Sequence, residues 1–264
     1  MKLYIELLKT LFKSKMEYRF NFFMEIFVNI FTYVVTYIGI WIIVRRFGSI
    51  AGWKFYELML LYNFNLFSYG AACFVLYIPM QSLEEMVRMG DFDGVLVKPM
   101  NPFLYLLMRQ GYFGFVGHLI LGFIVFGISL SHLQLEITAG FIFDMVLKLV
   151  GAVLLQGAVL IFTGALSFRF VRALAVRNVF IYTIREFINY PISIYPKVLQ
   201  VFLTVIVPYG FVNFYPVEAL LGKQDGMLPL WLSGSAGLLL GILSAYLGYC
   251  FFMSSVKKYQ STGS

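Results

Sequence analysis

A chain of 264 residues that is 61% hydrophobic and 12% charged departs from the make-up of a water-soluble domain, which is roughly half apolar and a quarter charged. Its formal charge of +7 falls in short Lys and Arg clusters between apolar stretches and forms no basic face, so nucleic acid is excluded as a partner and these residues read as topology determinants. The class that remains is an all-α polytopic membrane protein, with one membrane domain over residues 21–256.

Residues 1–20 place Leu3, Leu7, Leu8, Leu11 and Phe12 on one helical face and the lysines mostly on another, the pattern of an amphipathic helix at the cytoplasmic membrane surface. No short apolar block with a small-residue cleavage site is present, so a removed signal is not expected. A first span over 22–44 is long enough to cross a hydrocarbon core of roughly 30 Å. A loop through Arg45, Arg46, Gly48 and Trp53 leads to a second span over 55–78 that carries Asn63 and Asn65.

Residues 79–102 are too charged to lie in lipid and form the largest connector. Within it, 81–89 reads as a short helix lying at the cytoplasmic face, with Leu83, Met86 and Val87 apolar and Glu84, Glu85 and Arg88 charged. Gly90 ends it, and Pro99 and Pro102 turn the chain into the next span. A third span follows to residue 130, starting at 103 or 111, and a fourth over 139–168, after which Arg169, Arg172 and Arg177 mark a return to the cytoplasm.

Pro191, Pro196, Pro208, Pro216 and Pro229 crowd the last third of the chain. Proline removes a backbone donor and breaks helices, so the fifth span, over 180–209, is expected to be discontinuous. A re-entrant or external segment over 210–228, a sixth span over 229–253 and a cytoplasmic tail over 257–264 complete a six-helix arrangement with both termini inside. A seven-span alternative divides 178–191 from 197–208, but the second piece is short for a crossing.

No phosphate-binding GxxxxGK, HExxH or GxSxG sequence is present, so no enzyme chemistry, metal or cofactor is assigned to this chain. Cys73 and Cys250 read as small buried hydrophobes, and His118 and His132 lack ligand spacing. Gly111, Gly114 and Gly117 read as helix-packing residues. Asp144 and Lys148, four apart in the fourth span, are a self-neutralising pair or a substrate contact. Arg185 and Glu186 in the broken region read first as structural and second as pathway residues. The candidate gate or pathway set is Asp144, Lys148, Tyr190, Pro191, Pro208 and Pro216.

Three stretches carry a family resemblance. MGDFDGVLVKPMNP (89–102) resembles the signature of ABC-2 type transporter permeases, in which acidic residues flank an apolar one after a glycine and a basic residue, Pro and Asn-Pro follow. AGWKFYELMLLYN (51–63) resembles the start of their second span, with Ala51 and Asn63 in place of the usual glycines. The segment 190–222, YPISIYP through ALLG, is similar to a proline-rich stretch of the branch related to daunorubicin-resistance permeases, departing at Val205, Tyr209 and Phe214.

The resemblance implies a permease subunit of an exporter in a bacterial cytoplasmic membrane. It implies two copies of a separate ABC ATPase, which hold ATP and Mg, a second permease that is a different chain, and surrounding membrane lipid. Gln81, Glu84, Glu85, Arg88, Gly90, Asp91, Asp93 and Pro99 would form the element that couples to the ATPase, the amino-terminal helix a second contact, and 208–228 part of an outer gate. The alternative is a pore-forming or lipid-modifying membrane protein acting without an ATPase.

Overall fold

The computed structural model describes residues 19–109, 113–170 and 173–260. Apart from Arg19 and Phe20, the amphipathic helix expected over 1–20 lies outside the described residues, as do Gly111, Arg172 and the last four residues of the tail. The helices are α1 (Arg19–Phe47), α2 (Phe55–Gln81), α3 (Leu83–Met89), α4 (Asp93–Leu96), α5 (Pro102–Arg109), α6 (Val116–His132) and α7 (Ala139–Ala165). The shorter α8 (Leu174–Asn178), α9 (Lys197–Val201) and α10 (Phe214–Leu221) then lead to α11 (Leu230–Val256).

Among the described residues, five helical stretches are long and apolar enough to cross a membrane: Arg19–Phe47, Phe55–Met89, Phe113–His132, Ala139–Phe168 and Leu230–Val256. They coincide with the first four expected spans and the last. The expected fifth is not one helix. α8 runs into a π-helical turn over Val179–Ile184, short 3-10 turns follow at Phe187–Asn189 and Ile192–Ile194, and α9 passes into another π-helical stretch over Phe202–Ile206. The breaks sit at prolines: Pro191, Pro196 and Pro208 each occupy the position just before a new helical piece, with φ of −56°, −56° and −70°. The fixed ring torsion suits the start of a turn, and the missing N–H forbids continuation of the one before. The seven-span division gives no continuous crossing either.

The α2 helix is the central post. Of the window that would lie in the membrane, 78% is buried in the protein, against 11% for α1 and 22% for α11, so α2 is surrounded by protein while α1 and α11 turn most of their surface outward. Packing around it relies on close approach. A Cβ at Gly70 of α2 would meet His118 Cβ at 2.5 Å, one at Gly122 of α6 would meet Phe67 at 2.6 Å, and one at Gly164 of α7 would meet Met80 at 2.9 Å. Of the glycines expected to pack helices, Gly117 does so: a Cβ there would lie 3.2 Å from the Ile26 carbonyl oxygen of α1.

Helices α7 and α11 touch backbone to backbone. A Cβ on Gly151 would lie 2.8 Å from the carbonyl of Gly237, and one on Gly241 would lie 2.6 Å from the Gly151 oxygen. Lipid tails are as apolar as leucine, so burial alone does not drive helices together in a bilayer, and small residues permit the dispersion contacts and close carbonyl approach that do. Cys250, expected to be buried, is exposed on the outward surface of α11, whereas Cys73 is buried in α2. The difference follows from rotation about the helix axis, which an all-apolar sequence does not specify.

The turn between α1 and α2 closes through paired backbone hydrogen bonds between Ile50 and Trp53 of 3.1 and 2.9 Å. It requires Ala51 to take a φ of 49°, the one positive value among described non-glycine residues. A Cβ in this region costs roughly 1–2 kcal/mol, which explains why the resembling permeases carry glycine at the matching position. Ala51→Gly is therefore expected to raise thermal stability in detergent by an amount worth about 1 kcal/mol, read as a higher unfolding midpoint. Gly241→Leu has backbone in its way and is expected to lose well over the roughly 1–3 kcal/mol of ordinary overpacking, with a collapsed monodisperse yield. Gly127→Ala, where an added Cβ meets nothing within 4 Å, should leave the yield unchanged.

Candidate functional site

The charged connector begins where α2 ends. Gln81 is the last residue of α2 and not the first of the connector helix; Ser82, itself α-helical in its torsions, links the two, and α3 starts at Leu83. Leu83 and Met86 face inward and join an apolar cluster with Met80, Phe92, Leu106 and Phe252. Glu85, Arg88 and Asp91 face outward. Gly90 closes α3 with a φ of 79°, the left-handed cap that glycine adopts at no steric cost.

The residue that fastens the loop was missed as a site residue. Phe92, flanked by Asp91 and Asp93, is wholly buried, with its ring 4.7 Å from that of Phe168 at the end of α7 and 5.3 Å from that of Tyr259 beyond α11. The signal available in the sequence was an aromatic residue placed between two acids in an otherwise exposed loop. Such a ring has to be sheltered, and burying it anchors the acids on the surface. Asn101 caps α5 by accepting the backbone N–H of Phe103 at 2.9 Å while donating to the Tyr249 hydroxyl of α11 at 2.9 Å.

Gln81, Glu84, Glu85 and Arg88 line one polar groove of about 460 Å³ together with Leu174 and Arg177. Glu84 does not project freely. Its Oε2 accepts the backbone N–H of Leu174 at 2.6 Å, capping the first turn of α8, and Arg177 donates to the Gln81 carbonyl at 3.4 Å. The connectors after α2 and after α7 are thus stapled to each other. Asp91 and Pro99 are exposed outside the groove, and Asp93 lies in the first turn of α4.

The candidate pathway residues do not gather. Asp144 and Lys148 form an ion pair along one face of α7, with the Lys148 side chain buried and that of Asp144 half exposed. Pro191 is buried, Tyr190 beside it is half-buried, and Pro216 is buried in the first turn of α10. Pro208 borders an apolar cavity of about 560 Å³ between α7, α11 and the broken segment, lined among others by Phe162, Phe180, Leu247 and Phe251.

Two polar assemblies escaped the sequence reading. Gln156 donates to Asn65, which donates to Asn189 at 2.8 Å, which donates to Glu186 at 2.5 Å. Asn213 donates to the carbonyls of Leu61 and Ile188 at 3.2 and 2.5 Å. At the other end of α2, Lys223 pairs with Glu57 at 2.7 Å, donates to the Gly52 carbonyl and lies 4.9 Å above the ring of the fully buried Trp53. The second and third resembling stretches meet in space through Asn213 on Leu61 and through Trp53 against Phe214, ring centroids 5.7 Å apart. Close by, burial lifts the Glu218 carboxyl above the usual carboxylate range, while the amides of Gly226 and Asp225 donate to it and pull it back.

Among the described residues no three His, Cys, Asp or Glu side chains gather to hold a metal ion. Glu84→Ala is expected to free the start of α8 at a cost of about 1 kcal/mol. The check is amide hydrogen exchange: faster exchange over residues 173–178 with α7 unaltered is the expected result.

A family model described as ABC-2 family transporter protein matches residues 14–263. No curated protein and no solved structure matches the chain.

Proposed function

The chain belongs to the ABC-2 family of transporter proteins, and from that premise we propose that it is the permease of an exporter which works with two copies of an ABC ATPase and a second, different permease chain. Membership makes it a membrane-embedded, multi-pass transport subunit, not itself catalytic, that associates with an ABC ATPase. The assembly, the outward direction of transport, a bacterial cytoplasmic membrane and cytoplasmic termini are the finer parts of the proposal, and ATP and Mg belong to the partner in it.

The observation that carries the coupling assignment is the arrangement of the connector: Glu85, Arg88 and Asp91 are exposed on a short, capped element whose underside is bolted by Phe92 to the ends of α7 and the segment beyond α11. A push on the acids and Arg88 is transmitted through Phe92 to a helix pair whose backbones touch at Gly151 and Gly241. Close-packed pairs of this kind move as units and do not deform continuously. ATPase closure would thereby shift α7 and α11 together, at the border of the apolar cavity that Pro208 lines. A cavity of that size and lining suits an amphiphilic or apolar cargo.

Replacing Glu85, Arg88 and Asp91 together with Ala should abolish co-purification of the ATPase and permease-stimulated nucleotide hydrolysis, with the permease still recovered from the membrane at wild-type levels. Intact binding and stimulation would overturn the coupling assignment.

A further inference from the structure

Arg185, in the turn that follows the π-helical stretch Val179–Ile184, is 8% exposed, yet among the described residues no carboxylate comes within 4.0 Å of it. Glu186, its neighbour in sequence, is committed to Asn189. The guanidinium instead lies over the ring of Tyr69, 3.6 Å from the centroid, and shares a chamber with Tyr33. Its Nε has no hydrogen-bond partner among the described residues.

This is costly in a way that the other buried cation is not. Lys148 is neutralised by Asp144 four residues away. A buried ion carries a desolvation penalty of several kcal/mol, and a cation–π contact returns only about 2 kcal/mol even when desolvated. Arginine does not escape by losing its proton, because its pKa lies above about 12.

What surrounds the guanidinium is a chamber of about 330 Å³ lined by Tyr33, Tyr69, Tyr77, His118 and Tyr182 as well as Arg185. The His118 Nε2 is 3.0 Å from the Tyr33 hydroxyl, and its Nδ1 has no hydrogen-bond partner among the described residues. At the mouth, the hydroxyls of Tyr77 and the exposed Tyr182 stand 3.3 Å apart. A fixed planar cation and phenolic hydroxyls converging on one space are the donor set for an oxyanion, with the His118 Nε2–H donating to the Tyr33 oxygen and leaving the Tyr33 O–H to donate onward; charge-assisted bonds to a bidentate acceptor are the strongest such groups make.

We propose that this chamber binds an anionic phosphate-type headgroup, with Arg185 as the bidentate donor and Tyr33 as a second donor, the anion being carried by a membrane phospholipid or by a soluble ligand. The chamber adjoins the connector groove through the chain itself: Tyr77 precedes Ile78 of the groove, and the stretch from Arg177 to Arg185 borders both. Occupancy would draw the broken segment onto α2.

The test is native mass spectrometry of the purified chain titrated with short-chain phosphatidylglycerol, short-chain phosphatidylcholine and inorganic phosphate. Wild type is expected to hold one phosphatidylglycerol at least about tenfold more tightly than phosphatidylcholine, and Arg185→Gln to lose that preference. Tyr33→Phe, which removes one hydroxyl and keeps the ring, should weaken phosphatidylglycerol several-fold and serves if Arg185→Gln is not recovered folded. Displacement of phosphatidylglycerol by inorganic phosphate assigns the site to soluble oxyanions, and binding of the lipid without such displacement assigns it to headgroups; both support it. Equal affinity for the two lipids together with no binding of inorganic phosphate, or undiminished binding of the preferred anion in folded Arg185→Gln or in Tyr33→Phe, overturns it.

Discussion

Everything in this molecule is arranged around a helix that no lipid can reach along most of its length. Because α2 is enclosed, its polar side chains need partners: Ser68 turns back onto carbonyls of its own helix, while the two asparagines place other elements. Asn63 donates to the Gly122 carbonyl of α6; Asn65 receives Gln156 of α7 and reaches Asn189 of the broken segment. In a solvent without hydrogen-bonding capacity, such bonds compete with nothing for the same donor, so they set register even where each is worth only about 1 kcal/mol.

The same constraint explains how a segment without continuous helix survives inside a membrane protein. Backbone groups freed at Pro191, Pro196 and Pro208 must be satisfied locally, and the π-helical and 3-10 turns do most of this. Side chains add to this: Gln200 donates to the carbonyls of Ser193 and Tyr195, the Tyr209 hydroxyl to that of Phe180, and Asn213 bridges the carbonyls of Leu61 in α2 and Ile188 in the broken segment. Parts of this irregular backbone border a cavity, as with Pro208 and Arg185.

The two ends of the bundle are built differently. At the α1–α2 turn the chain closes on itself through Glu57, Lys223 and Trp53, a tight polar and aromatic clasp. At the connector end, apolar anchors lie beneath and charges lie above, with Phe92 buried and Asp91 in the open. A clasp resists separation, whereas an anchored charged surface is suited to being pushed. That asymmetry fits a transport subunit that takes its drive from a partner at one end.

The sequence by itself determined which stretches are long and apolar enough to cross, where the broken segment is cut and which connector is charged, because these are local sums. Twenty apolar residues must span, a proline must interrupt, and six ionised groups within 79–102 must stay out of lipid. The resemblance in three short stretches added the family. Only the tertiary structure decided that Glu84 caps Leu174 90 residues away, that Glu57 meets Lys223 166 residues away and that Arg185 stacks on Tyr69. The physical reason lies in helix rotation. An apolar helix can turn any face toward its neighbours at nearly equal cost in lipid, so the choice is made by close-packing glycines and a few polar partners. For the same reason Cys250 faces outward although nothing in its neighbourhood along the chain says so.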